Sequence, residues 1–207
     1  MIMFKRMAVV LLVVLAALAA FIASRPSDFR ISRSRTLSAP PDVVYAYVND
    51  FRKWPEWSPW EKLDPAIKRD HSGAPAGLGA SYHWAGNDNV GEGRMTITDS
   101  KPGQAITIRL EFMKPWTATN TAQFHFVPSG SGTNVTWTMT GRNNFVAKAF
   151  HLFMDVEKMV GPEFEKGLAS LDSVTAAVAA KRAKTMPAAA PAAATAPPAR
   201  RHGGDRA

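Results

Sequence analysis

From Tyr82 to Thr140 the chain alternates apolar and polar residues in stretch after stretch, and from Phe145 to Ala180 the period becomes that of a helix. This change of period constrains the fold more than any other feature. Tyr82 and Trp84 share one phase, as do Met95 and Ile97, and Ile106, Ile108, Leu110 and Phe112 alternate with Thr107, Arg109 and Glu111. Phe124 and Phe126 oppose Gln123 and His125, and Val135, Trp137 and Met139 oppose Thr136, Thr138 and Thr140. Five strands with one apolar and one polar face predict a single antiparallel sheet. Upstream, Phe29, Ile31, Arg33, Arg35 and Leu37 share a phase in a first strand. Ser38 or Pro41 then caps a short helix with Val43, Val44, Tyr47 and Val48 on one face. In the final segment Gly161-Pro162 predicts a short helix followed by a longer one. Only the apolar face of the sheet is large enough to cover that helix, so the expected fold is α+β, a curved antiparallel sheet gripping a long C-terminal helix.

The run Asn49-Asp50-Phe51-Arg52-Lys53-Trp54-Pro55-Glu56-Trp57-Ser58-Pro59-Trp60-Glu61 holds three tryptophans and two prolines, so no long helix passes through it. At the amino end, Met7 to Ala23 is an uninterrupted run of 17 apolar or small residues preceded by Lys5 and Arg6. As a helix it reaches roughly 26 Å, close to the hydrocarbon thickness of a bilayer. An uncleaved anchor is the preferred reading because the run exceeds the apolar core of a signal peptide, about 7–15 residues. A cleaved signal peptide, with Ala17-Leu18-Ala19 as its cleavage site, stays open. Lys5, Arg6 and the amino terminus favour N-inside, against Arg25, Arg30, Arg33 and Arg35 beyond the run. The expected location is therefore the cytoplasmic membrane, crossed once, with the domain on its outer, periplasmic face. Pro187 to Ala207 is Pro/Ala-rich and predicts a disordered tail. The chain thus divides into an anchor or signal peptide over 1–26, a folded domain over 27–182 and a basic tail over 183–207.

A net charge of +8 would suggest nucleic acid if it were clustered on the folded part. Residues 1–40 instead hold six Lys/Arg against Asp28 alone, residues 181–207 hold six against Asp205 alone, and the segment between holds 13 basic and 15 acidic residues. That body has no footprint for a phosphate backbone, and no nucleic-acid partner is expected. Basic ends beside an apolar anchor suit an anionic membrane surface, or simple solubility. The absence of cysteine excludes disulfides, thiolate nucleophiles, Cys-based zinc sites and iron–sulfur clusters.

Four stretches carry a family resemblance: Ala39-Pro40-Pro41-Asp42-Val43-Val44-Tyr45, the Asn49–Glu61 run, Gly91-Glu92-Gly93-Arg94-Met95-Thr96-Ile97, and Phe164-Glu165-Lys166-Gly167-Leu168. With the element order, they resemble the START-like helix-grip superfamily (SRPBCC), and within it the membrane-anchored bacterial proteins of the polyketide cyclase/dehydrase and lipid transport type. The resemblance covers about residues 27–175, and the Asn49–Glu61 run is its most specific part. It implies a cavity between the sheet and the last helix that holds an apolar or amphipathic ligand. It does not imply one reaction, because members include lipid carriers, hormone receptors, aromatic cyclases and proteins without known activity.

The five histidines, His71, His83, His125, His151 and His202, show no metal-ligand spacing, and no P-loop, dinucleotide fingerprint or nucleophile elbow is present. No metal or cofactor is expected. His83 and His125 fall in the polar phase of their strands and read as solvent-facing. Glu61 reads as an exposed or capping residue at the cavity rim, and Glu111 points outward. The candidate ligand-binding residues are Trp57, Trp60, Tyr82, Trp84, Phe112, Trp116, Asn120, Trp137, Met139, Phe153 and Met154. Most are large apolar groups on expected inward positions, and Asn120 shares strand parity with Phe124 and Phe126. The same residue types also fill ordinary cores. The leading reading is a membrane-tethered, non-enzymatic domain that binds a lipid-like or aromatic small molecule. The alternatives are a cyclase or dehydrase-type enzyme working through Glu61, Tyr82 or Asn120, and an envelope interaction module that docks through an exposed Trp57–Trp60 segment. Ligand identity and oligomeric state stay open.

Overall fold

Side-chain alternation builds seven strands in the computed structural model, which describes residues 2–150 and 152–185: β1 Asp28–Leu37, β2 Lys68–Gly73, β3 Ala80–Ala85, β4 Glu92–Lys101, β5 Ala105–Lys114, β6 Ala118–Ser129 and β7 Gly132–Arg142. They form one sheet in the order β1-β7-β6-β5-β4-β3-β2, every neighbouring pair antiparallel. The consecutive strands β2 to β7 form a meander, and β1 closes the far edge against β7. On the inner face lie Ile31, Leu37, Tyr82, Trp84, Ile97, Ile106, Ile108, Phe124, Phe126, Val135 and Trp137, all buried. The α+β architecture is that of the sequence reading, but β2 is an addition. Its residues Lys-Arg-Asp-His-Ser-Gly carry no apolar alternation, so its extended form comes from pairing with β3 rather than from burial.

The helices are α1 Ile2–Ser24, α2 Pro41–Val48, α3 Trp54–Trp57, α4 Phe145–Phe150 and α5 Val156–Thr185. Pro41 starts α2 at its first position, where a missing N–H costs nothing. Ser38 does not cap it: Pro40 occupies the N-cap position, with no side-chain cap hydrogen bond, while the Ser38 backbone N–H donates to Asp172 on α5 at 2.8 Å. Short 3-10 turns, Phe51–Lys53 and Pro59–Lys62, flank α3, so the two prolines divide the tryptophan run into single turns. No break occurs at Gly161-Pro162. The separate short helix is α4, and α5 continues through Pro162 in its second turn, held down by the buried Phe164, Leu168 and Leu171.

Charge also holds α5 to the sheet edge. Arg33, on the inner phase of β1, donates from Nη1 to Glu157 at 2.6 Å and from Nε to Glu165 at 2.7 Å, and Arg35 lies 3.8 Å from Asp172. Gly161 faces this guanidinium, and a methyl group there would run into it. α1 contains a 22-residue stretch, Met3–Ser24, of mean hydropathy 2.8. By length and composition it is apolar enough to cross a membrane, as a signal sequence also is. It joins the domain through the Lys148 ammonium, which donates to the Ala23 carbonyl at 3.1 Å, and through the Asn143 N–H, which donates to the Ser27 carbonyl at 2.8 Å. α5 runs to Thr185, three residues into the stretch read as tail. The remainder of that tail, with His202, and also His151, lie outside the described residues.

Candidate functional site

Between the inner face of the sheet and the first turns of α5 lies a cavity of about 250 Å³. Its walls are Tyr82 and Trp84 of β3, Met95 of β4, Leu110 and Phe112 of β5, Ala122 of β6, and Trp137 and Met139 of β7. Val160 and Phe164 of α5 close it from above, with Trp54, Ser58, Trp60, Glu61, Ile67 and Val90 at its sides. Strand alternation delivers the sheet residues, since each occupies the inward phase of its strand. Glycine shapes the wall at Gly93, where a methyl group would collide with the Trp84 ring, so the indole lies flat across β4. Gly167 does the same under α5. A methyl there would sit 2.8 Å from Trp137 Cζ3, and its absence lets the helix descend until Phe164 stacks on Trp137 at 4.1 Å and 4°.

The polar content of the cavity is concentrated at one end. Tyr82 donates its hydroxyl hydrogen to Glu61 Oε1 at 2.6 Å, and Arg69 on β2 donates from Nε to Glu61 Oε2 at 2.7 Å. The Glu61 side chain is only 6% exposed, against 31% for Arg69. Burial of the phenol, reinforced by the adjacent carboxylate, pushes the Tyr82 pKa well above its ordinary value. The ring of His71 lies against Tyr82 with centroids 5.0 Å apart, and its buried Nε2 has no hydrogen-bond partner. Trp137, at the opposite wall, also carries a buried indole N–H without an acceptor. Among the described residues no group of three or more His, Asp or Glu is placed to hold a metal ion.

Six of the eleven sequence candidates surround this cavity: Trp60, Tyr82, Trp84, Phe112, Trp137 and Met139. The other five lie elsewhere. Trp57 is fully buried behind the wall, packed against Trp54, Phe124 and Trp137. Asn120 is not among the lining residues, although it pairs in register with the lining Leu110 and its Nδ2 lies 3.9 Å from Met139 Sδ. Trp116, Phe153 and Met154 are 63%, 90% and 38% exposed, outside the sheet–helix interface. Glu61 departs from its expectation, because Arg69 and Tyr82 fix it inside rather than at an exposed rim. The burial of Trp57, with Trp60 packed on Trp137 and Phe164, removes the exposed tryptophan segment on which the interaction-module reading rested. His83 is partly exposed, 3.3 Å from Glu92, and His125 is exposed.

Sequence reasoning passed over Trp54, Ser58, Ile67, Val90, Met95, Leu110, Val160 and Phe164 as lining residues, and Arg69 as the partner of Glu61. Inward parity was available for Met95 and Leu110, and Ala122, which shares the parity of Asn120 and Phe124, reads from the sequence as one of the small inward positions that leave room for a cavity. For Arg69 there was no signal, because β2 has no pattern. A second concavity of about 560 Å³ lies on the outer side of β1, β6 and β7, between Asp28, Arg30, Thr119, Thr121, Thr140 and Arg142. It is wide open to solvent and encloses nothing.

Comparison with known proteins gives one family and a fold. The family described as polyketide cyclase / dehydrase and lipid transport matches residues 28–175. No curated protein matches the chain. A protein from Chromobacterium violaceum is 16% identical, with 70% of this chain and 96% of that one covered and a TM-score of 0.52. Aha1 from Colwellia psychrerythraea, solved as a dimer, is 15% identical over 71% of this chain and 96% of its own, also with a TM-score of 0.52. The di-domain ARO/CYC StfQ from the steffimycin biosynthetic pathway is 14% identical, with 77% of this chain but only 53% of StfQ covered and a TM-score of 0.53. At these identities the solved structures establish the shared fold alone.

Proposed function

We propose that this chain, which belongs to the polyketide cyclase / dehydrase and lipid transport family, is a membrane-tethered binding domain that holds an apolar or amphipathic small molecule between its sheet and α5. The observation that carries the reading is an apolar cavity whose ionisable groups are gathered at one end, at Glu61 and Tyr82. An apolar body would lie among Trp60, Trp84, Phe112, Trp137 and Met139. One polar end would meet the Glu61–Tyr82 pair, where a ligand donor finds a carboxylate. The volume equals about eight waters at about 30 Å³ each. That suits a ring system or one short chain better than a two-chain lipid.

Binding is favoured over catalysis by how the polar end is wired. The hydroxyl hydrogen of Tyr82 is committed to Glu61, whose two oxygens already accept from Tyr82 and Arg69, and burial holds the phenol above its ordinary pKa, so Tyr82 is not poised to give up a proton. In this reading α1 is retained as the anchor with its amino end inside, and the domain over 27–182 stands on the outer face of the cytoplasmic membrane.

The test is native mass spectrometry of the full chain, purified in mild detergent from its own host, before and after organic extraction. A discrete added mass that extraction removes is the expected result and gives the ligand class. A bare mass in both preparations, with no binding of an apolar fluorescent dye, would overturn the reading.

A further inference from the structure

Among the described residues, an apolar surface that the cavity does not use lies where α1 leaves the domain. Phe145, Val146 and Phe150 of α4 are 50%, 58% and 47% exposed, Phe153 in the following turn is 90% exposed, and Trp116 of the β5–β6 connection is 63% exposed. The Trp116 and Phe150 rings meet at 5.5 Å, so the β5–β6 connection and α4 present their apolar groups side by side. A short helix and two turns that present this much apolar area to water need a cover.

Two observations on the molecule indicate what covers it. The first is continuity: α4 is fastened to the end of α1 by the Lys148–Ala23 hydrogen bond, and the chain enters α4 beside Ser27 through the Asn143–Ser27 bond. A bilayer that contains α1 therefore ends next to α4. The second is charge. Arg25, Arg30, Arg142 and Lys148 gather within a few residues of this junction, against Asp28 beside Arg142 at 4.0 Å, and Arg25 lies over the Phe21 ring at 4.9 Å. Aromatic and aliphatic groups beside a ring of Lys and Arg are the composition of a surface that sinks to the headgroup level of an anionic membrane.

We propose that α4, the turn after it and the Trp116 connection form a second membrane contact, lying in the interface of an anionic bilayer beside the exit of α1. The cavity wall runs toward the same end of the domain along β5, for the lining Phe112 stands four residues before Trp116. The proposal rests on α1 being a retained anchor, and it is independent of whether the cavity holds a ligand.

Because the chain has no cysteine, single cysteines can be labelled without background. Nitroxides would be placed at Val146→Cys and Phe153→Cys, with Leu12→Cys inside α1 and His125→Cys on the exposed face of β6 as references. The full chain would be reconstituted in vesicles of phosphatidylethanolamine and phosphatidylglycerol. Collision with oxygen relative to a water-soluble nickel chelate reports depth. The expected result is a ratio at positions 146 and 153 several-fold above that at 125 and below that at 12, the intermediate depth of an interfacial element. A ratio at 146 and 153 equal to that at 125, with 12 deep, overturns the second contact while leaving the anchor in place. Low ratios at all four positions overturn the anchor and the contact together, without bearing on ligand binding. Dipolar broadening between labels at 153, with no oxygen enrichment there, assigns the patch to a second copy of the chain and also overturns the proposal.

Discussion

Glu61 shows how a single side chain sets the chemistry of the cavity. A carboxylate almost removed from water is tolerated only because Arg69 and Tyr82 supply a cation and a donor. Arg69→Met would leave the charge buried with the phenol alone, at an expected cost of about 2–4 kcal/mol, discounted for the partial exposure of Arg69. Adding Glu61→Gln removes the orphaned charge and should restore most of that stability. Denaturant unfolding of the two variants checks this, and equal losses in both would show that the pair is not coupled. Tyr82 makes a second prediction. Its folded pKa lies above the unfolded value of about 10, so in alkali the unfolded chain gives up a proton that the folded chain retains. Stability should therefore fall as pH rises above about 10. Tyr82→Phe should flatten most of that decline in denaturant titrations, and a decline unchanged in the variant would locate its origin elsewhere.

At the scale of elements, periodicity reported what each segment buries and nothing more. The strands β3 to β7 and β1 could be read because one phase of each is apolar. β2 could not, because its conformation is imposed by backbone pairing to β3. The inner phase of β1 included Arg33 and Arg35, which look misplaced until Glu157, Glu165 and Asp172 on α5 are brought over them. Gly161-Pro162 reads from the sequence as a breaker, whereas packing gives Gly161 and Gly167 a different use. Gly161→Ala meets the far end of the Arg33 side chain, which can shift at the expense of its half-exposed pairs with Glu157 and Glu165, and the helix gains up to about 1 kcal/mol from the substitution, so stability should change little. Gly167→Ala meets a tryptophan ring at 2.8 Å and Pro59 Cδ at 3.2 Å, neither free to move. It should lower stability by about 1–2 kcal/mol after the same helical gain. Thermal unfolding of the two variants separates them, and an equal response would mean that α5 is not seated on Trp137 as described.

The cavity is a property of the whole molecule, which is why the sequence showed its walls only in part. Parity identifies which residues of a strand face inward, and it brought Tyr82, Trp84, Phe112, Trp137 and Met139 to the right side. It does not say where along the sheet α5 comes down, so Val160 and Phe164 were missed as its roof and Trp57, sealed behind it, was included. Phe153 keeps the helical period, yet it and Met154 fall in the connection between α4 and α5. The space itself can be tested through Ala122, which is 5% exposed and pairs in register with Ile108 and Met139. In a solid core, Ala122→Leu would force neighbours aside and cost about 1–3 kcal/mol. Facing an empty apolar space, the added carbons instead leave water, at about 0.8 kcal/mol for each buried methylene. The variant should therefore unfold at the same temperature as the natural chain or higher, while losing affinity for an apolar dye because the space is filled. A lower unfolding temperature with dye binding intact would mean that the sheet and α5 are already packed solid at Ala122 and that the dye binds elsewhere.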